Sequence, residues 1–277
     1  RTEASFAAAR QQMVLQKQLG GAPQSAVSAP EACAIEPALA HQQKDFAGAI
    51  YTDSECAADC KLVCEALAQI LTARGAALRW GQAFRQWVPK GDRLAAVQLD
   101  HGEEVSADAF VLCTGHTAPG LAAPLGVRLP VYPLKGYSLT VPIGPEHRAP
   151  ELSITDYNRK IVYARIGEQL RVAAMVDIVG FDAALDPKRL ALIKRQARDT
   201  FAQAGDYDAA VEWAGMRPAT PSGVPLLGAT AYRNLWLNLG HGALGFTLAC
   251  GSAQVLSELI GQRRPSIDLQ GFTPRAA

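Results

Sequence analysis

Arg217 is the first residue whose type and surroundings suggest chemistry. It stands in Trp213-Ala-Gly-Met-Arg217-Pro-Ala-Thr-Pro-Ser-Gly-Val-Pro-Leu-Leu-Gly228, a lone guanidinium beside a Pro/Gly-rich turn. A guanidinium presents a rigid fork of donors that matches a carboxylate at two points, so it orients an acid and does not merely attract it. The same arginine could pair with a structural acid of the protein itself. Tyr137 and Tyr157 carry hydroxyls that could share such a carboxylate in a cavity wall, or could sit as core or rim tyrosines.

A second candidate follows the apolar run Leu235-Trp-Leu-Asn-Leu239, which reads as a buried strand. It leads into Gly240-His241-Gly242-Ala-Leu-Gly245-Phe246-Thr247, where the glycines let the backbone turn sharply and come close to a ligand. A helix is expected from Thr247 to Ile260, with Leu248, Ser252, Val255, Leu256 and Leu259 on or near one face. The start of a helix carries unpaired N–H groups and partial positive charge, which suits an anion or a ring that becomes anionic on reduction. Thr247 could cap this helix or donate to such a ring, and His241 could touch the ligand or brace the turn. The spacing also fits a G-x-G-x-x-G phosphate loop, but that loop needs a βαβ unit and a later acid. Here Arg263-Arg264-Pro265 and a polar tail follow without a convincing second strand. A tight turn with no ligand remains the other alternative.

A third candidate is Thr114-Gly115. It closes Asp108-Ala-Phe-Val-Leu-Cys113, which reads as a strand buried on both faces. An apolar parallel strand ending on small residues is a place where a cofactor can approach an α/β sheet, and equally an ordinary core strand and turn.

The remaining elements must position these residues. A helix is expected over residues 2–19, a loop over 22–30 and a strand at 48–51. Asp59 can cap a helix running to Arg74, with Cys60, Val63, Leu67, Ile70 and Leu71 at helical spacing. Short runs at 77–80, 84–88, 94–99 and 104–106 read as a β-meander. A Pro/Gly-rich passage at 119–130 leads to a strand at 131–141, a hairpin of 161–164 with 170–173, and a helix opened by Asp186-Pro187.

Composition narrows the function classes. The 277 residues are 49% hydrophobic, with 27 Lys+Arg against 26 Asp+Glu and a net charge of +1, which gives no basis for nucleic-acid binding. No apolar run approaches the ~20 residues of a membrane span. The start, Arg1-Thr-Glu-Ala-Ser, has no signal-peptide pattern and reads as the interior of a longer chain. The six cysteines form no C-x-x-C pair. Cys56, Cys60 and Cys64 are spaced by four, and no nearby histidine completes a metal site, so they read as buried small hydrophobes. Free cysteines point to a reducing, cytoplasmic compartment. No H-E-x-x-H, G-x-S-x-G or G-x-x-x-x-G-K-[ST] occurs.

The order G-M-R-P-x-T-P-x-G-x-P, then N-L-W-L-N-x-G-H-G-x-x-G-F-T, resembles the C-terminal signature of the D-amino-acid oxidase superfamily of flavoproteins, nearest to its bacterial D-amino acid dehydrogenases. The resemblance covers essentially the whole chain and is strongest from Tyr132 to Tyr137 and from Gly215 to Gly251. It implies an α/β (α+β two-domain) flavoprotein: a partial FAD-binding Rossmann-like domain lacking its first βαβ unit, plus an antiparallel-sheet substrate domain. The implied division is a substrate-domain helix and connection at 1–47, the middle of the FAD-binding domain at 48–120, the substrate-binding domain at 121–214 and the C-terminal part of the FAD-binding domain at 215–277. By the same resemblance Arg217 is the clamp for the substrate α-carboxylate, with Tyr137 and Tyr157 lining the cavity. Thr114, Gly115, Gly240, His241, Gly242, Gly245, Phe246 and Thr247 would then border FAD. Ala173-Ala174 departs from the glycine usual in the family. The flavin carries the hard chemistry, so no catalytic acid or base is required of the chain, and no metal is expected.

The implied activity is oxidation of a D-amino acid to an imino acid that water hydrolyses to a 2-oxo acid and ammonia. Electrons would pass to a respiratory acceptor, with peripheral association at the inner face of the bacterial inner membrane. Two alternatives stand beside it: a glycine or sarcosine-type oxidase using O2, and a non-catalytic amino-acid-binding or interaction domain on the same fold. Because the family's N-terminal strand, pyrophosphate loop and ribose-binding acid are not in this sequence, the chain alone is expected to bind FAD poorly and to be inactive.

Overall fold

The computed structural model of the chain describes residues 2–273; Arg1 and residues 274–277 lie outside the described residues. The chain forms two compact units, one from Arg1–Asp59, Gly136–Val176 and Ala183–Gly215, the other from Cys60–Lys135, Asp177–Asp182 and Met216–Ala277. The sequence division at 47/48 therefore falls inside the first unit, and the one at 120/121 inside the second.

The first unit opens with α1 (Glu3–Gln18), capped by the Thr2 hydroxyl, which accepts from the Ser5 N–H. There follow β1 (Ser25–Ser28), α2 (Ala29–Ile35) and β2 (Gly48–Tyr51). β1 occupies the stretch expected as a loop. Its residues are small and carry no strand signal of their own, and what makes them a strand is the antiparallel partner β2, which sets Ser25 opposite Tyr51. Glu36 is buried, and its carboxylate accepts from the N–H groups of Ala38, Glu151 and Leu152. A buried charge with three donors is satisfied, so Glu36 fastens the N-terminal segment to the rest of this unit.

The chain then enters the second unit through α3 (Cys60–Ala73). The expected apolar spacing is present, yet no residue of α3 is buried, and Leu67 and Ile70 are about half exposed. Cys56, Cys60 and Cys64 are exposed as well, which corrects the expectation that they are buried. Periodicity fixes a helix face, but only a packed neighbour can bury it. No group of three or more potential metal ligands occurs among the described residues. β3 (Phe84–Lys90), β4 (Arg93–Leu99) and β5 (Glu104–Val105) form an antiparallel sheet, and residues 77–80 are not a strand. β6 (Phe110–Leu112) and α4 (Ala118–Ala122) complete this stretch.

Back in the first unit lie β7 (Tyr132–Pro142), β8 (Ile154–Asp156), β9 (Ile161–Ile166), β10 (Gln169–Asp177), α5 (Pro187–Thr200) and β11 (Val211–Ala219). The five strands form one sheet in the order β11-β7-β10-β9-β8, and β7, β10 and β11 each carry the chain from one unit into the other. Asp186 caps α5 by accepting from the Lys188 and Arg189 N–H groups, as its position before Pro187 predicts. Leu190, Ile193, Ala197 and Phe201 pack against Tyr137, Leu139, Ile161, Tyr163, Leu170 and Val172, with Phe201 edge-on to Tyr163 at 4.9 Å between ring centroids.

The second unit is completed by β12 (Leu226–Ala229), β13 (Leu235–Leu239) and α6 (Gly245–Ile260). β13 pairs parallel with β6 and antiparallel with β12. The Pro/Gly-rich surroundings hid β12 from the sequence reading. Leu94, Phe110, Leu112, Leu235, Leu237 and Leu239 form the core here. By length and composition alone, residues Gly242–Ile260 are long and apolar enough to cross a membrane, where the sequence led us to expect no such run. Ser252, Val255, Leu256 and Glu258 of this helix are buried where it packs on β12 and β13, and most of its other residues are exposed.

Asn234 holds the two sheets of this unit together. Its side chain is buried, its Oδ1 accepts from the Leu94 N–H at 2.8 Å, and its Nδ2 donates to the Leu94 carbonyl at 2.9 Å. Asn234→Ala leaves both Leu94 groups unpaired in the core, at about 1–3 kcal/mol for each unsatisfied group. A drop in urea midpoint of that size, at unchanged slope, is the expected result. An unchanged midpoint would show the pair to be inconsequential.

Candidate functional site

Three of the sequence candidates lie in the second unit, on different elements. Arg217 and Pro218 are near the end of β11, whose last residue, Ala219, forms an isolated antiparallel bridge with His241. Gly115, at φ 59°, follows β6, and a Cβ built on it would sit 3.8 Å from Pro218 Cγ, so the Thr114-Gly115 turn lies against the residue next to Arg217. Gly240, at φ 81°, comes so close to Thr220 that an added Cβ would be 2.8 Å from Thr220 Cγ2. The β6 turn, the end of β11 and the glycine turn thus meet in one place.

The glycine turn runs into a helix that no side chain caps. Gly242, at φ 58°, begins a short 3-10 turn, Gly242–Leu244, that runs into α6 at Gly245. Neither the turn nor the helix has a side-chain cap, and the first turn of α6 holds no acid. The cap and first turn thus hold no group that neutralises the partial positive charge at this end. Thr247 lies two positions inside the helix, which removes the capping role considered for it and leaves an exposed hydroxyl. Phe246 and Leu244 are about half exposed and supply an apolar flank.

His241 braces the turn. Its Nε2 lies 3.0 Å from Ser252 Oγ of α6, and burial pulls its pKa down, favouring the neutral ring. Arg217 is half-buried, and desolvation lowers its pKa, although a guanidinium stays charged at any ordinary pH. Asn238 was not singled out from the sequence. Its Oδ1 is buried without a hydrogen-bond partner among the described residues, two positions before Gly240. The one signal available was a polar residue inside an apolar strand.

The two tyrosines lie in the first unit, not the second. Tyr137 is 1% exposed and shares the α5-facing side of β7 with Leu139 and Val141, so the strand's alternation puts it in the core and not in a cavity wall. Tyr157 is well exposed, with the Lys160 ammonium 3.4 Å from its ring centroid. It lines a cavity of 440 Å3 together with Asp156, Asn158 and Phe201.

The model of the DAO family, described as FAD dependent oxidoreductase, matches residues 1–259. A "D-amino acid dehydrogenase 2" of Pseudomonas aeruginosa is 56% identical over 278 residues, covering 100% of this chain and 65% of its own. A second protein of that name, from Ralstonia nicotianae, is 46% identical over 96% of this chain and 64% of its own. The chain thus spans a little under two thirds of the length of these curated relatives. Among solved structures, glycine oxidase from Geobacillus kaustophilus has a TM-score of 0.85 at 23% identity, over 100% of this chain and 73% of the other. L-proline dehydrogenase from P. horikoshii has a TM-score of 0.87 at 17% identity, over 99% and 73%. At such identities the likeness shows the fold: a mixed α/β flavoprotein fold with antiparallel sheets.

Proposed function

The chain belongs to the DAO family of FAD dependent oxidoreductases, and on that premise we propose that it is part of an enzyme that oxidatively deaminates D-amino acids. The observation that carries the proposal is the meeting of the Arg217 strand with the uncapped glycine turn in one unit. The residues fit FAD: an open helix end with no acid suits a ring that gains negative charge, and Gly240 and Gly242 keep the backbone bare of side chains. Gly240, His241, Gly242, Gly245, Phe246 and Thr247 would border the ring, with Thr114 and Gly115 along its nucleotide side. When bound, the flavin supplies acceptance of the hydride from the substrate α-carbon.

The chain's own part is alignment. Arg217 grips the α-carboxylate at two points and thereby helps aim the hydrogen of the α-carbon. His241, neutral and tied to Ser252, keeps the turn in place. Loss of a hydride from carbon and a proton from nitrogen gives the imino acid, and water then releases the 2-oxo acid and ammonia. The two electrons go on to a respiratory acceptor, at the inner face of the bacterial inner membrane. The 56% identical relative, by its printed name a dehydrogenase and not an oxidase, supports this acceptor over O2.

Anaerobic addition of D-alanine to the flavin-loaded protein should bleach the flavin absorbance, while L-alanine should not. Bound flavin that no amino acid reduces would overturn the proposal. Peroxide formed in step with substrate loss would move the acceptor to O2.

A further inference from the structure

Every residue lining the 440 Å3 cavity at Tyr157 belongs to the first unit: α1, α2, β1 and β2 supply one part, and β8, β9 and the end of α5 the other. Its volume falls within the range of about 300–1,000 Å3 usual for small-molecule sites. The inner wall is apolar. Ala32, Tyr163 and Phe201 are buried there, with Leu39, Ile50 and Ile154 partly buried beside them.

The charge lining this cavity has one sign. Glu36, Asp53, Glu55 and Asp156 line it, and no Lys, Arg or His does so among the described residues. Two of these acids are already engaged: Glu36 by its three backbone donors, and Asp156 by the Asn158 and Arg159 N–H groups with the Arg159 guanidinium at 3.7 Å. The other two are open. Asp53 and Glu55 are exposed, and their carboxylates have no hydrogen-bond or ion-pair partner among the described residues. Gln42, only 7% exposed, adds a buried acceptor: its Nε2 donates to the Thr200 carbonyl, and its Oε1 receives no hydrogen bond among the described residues. Cations of the chain that touch the lining sit on rings, Arg10 over Phe6 at 5.2 Å and Lys160 over Tyr157 at 3.4 Å from the centroids. Neither pairs with Asp53 or Glu55.

A buried acceptor and two unpaired carboxylates around an apolar space call for a ligand that brings N–H donors and positive charge. We propose that this cavity binds an organic ammonium with an apolar body, and that it is a site other than the one at which substrate is oxidised. Asp53 and Glu55 attract the charge, the Gln42 carbonyl offers an acceptor, and the apolar wall takes the body. The same groups repel a carboxylate or a phosphate. Tyr157 therefore serves this cavity and not the carboxylate of the substrate.

The test is calorimetry on the full chain, flavin-loaded, with 4-phenylbutylammonium, 4-phenylbutan-1-ol and 4-phenylbutanoate, which share one body and differ in charge. The ammonium should bind at one equivalent and at least about fivefold tighter than the alcohol, with the carboxylate weaker than both. Asp53→Asn and Glu55→Gln should each weaken the ammonium about threefold, the worth of an exposed charge pair, while Glu168→Gln, an exposed acid on the β9–β10 turn, should leave it unchanged. Thr155→Trp, at an exposed position of β8 that lines the cavity, should weaken the ammonium and the alcohol alike by filling space. Arg217→Leu should not alter the affinity for the ammonium. Equal binding of the three compounds, or no binding of the ammonium, overturns the proposal. Displacement of the ammonium by D-alanine overturns it too, since the cation would then occupy the substrate's own site.

Discussion

Arg217→Leu in the flavin-loaded protein should lower kcat/KM for its best D-amino acid by about 30-fold to several thousand-fold. The range follows from the cost of removing one partner of a desolvated charge pair, about 2–5 kcal/mol, at 1.4 kcal/mol per factor of ten. Burial of Arg217 is what makes this large, because the same pair on an open surface would be worth less than about 1 kcal/mol. Leucine keeps much of the volume and apolar stem, so the strand should survive the change. Arg217→Lys should recover only part of the loss, since an ammonium keeps the charge but not the two-point geometry. Steady-state kinetics beside a flavin titration decide the matter. Normal flavin binding with crippled substrate use is the expected pattern. Full activity in the leucine variant would assign Arg217 to structure.

The second large effect belongs to Gly240. At φ 81° an L-residue is already strained, and here its Cβ would also fall 2.8 Å from Thr220 Cγ2. Gly240→Ala should therefore destabilise the protein by about 1–3 kcal/mol and weaken flavin binding, since the turn must shift to make room. Gly242 supplies the control. Its φ is 58°, yet an added Cβ would meet nothing within 4 Å, so Gly242→Ala should show only the smaller backbone cost, about 1–2 kcal/mol. Thr220→Ser removes the obstructing methyl while keeping the hydroxyl that donates to the Val224 carbonyl. Combined with Gly240→Ala it should restore part of the lost stability, a coupling measurable by a double-mutant cycle on the urea midpoints. Strict additivity would mean that the close approach to Thr220 is not what makes glycine necessary.

These two residues also show how much of the site can be read without coordinates. The sequence alone singled out Arg217, the Gly240–Gly245 turn and Thr114-Gly115 as candidates, because a lone arginine in a Pro/Gly frame and glycines between a strand and a helix are local signals. It determined α5 and its Asp186 cap, the β9–β10 hairpin and the helix after the glycine turn for the same reason: periodicity, caps and turns are written within a few neighbouring residues. What it left open depended on partners distant in the chain. Residues 25–28 became a strand only because β2 lies alongside. The apolar face of α3 predicted burial that no neighbour among the described residues provides, and Cys60 and Cys64 are exposed with it. Tyr137 carried the right hydroxyl, but strand alternation turned it into the α5-facing core. Likewise, only the tertiary structure brought Pro218 against Gly115 and Ala219 beside His241, and only it moved Asp177–Asp182 into the second unit. Residue types specify which chemistry is possible; which residues share a site is decided by long-range pairing and packing, and these depend on the whole chain at once.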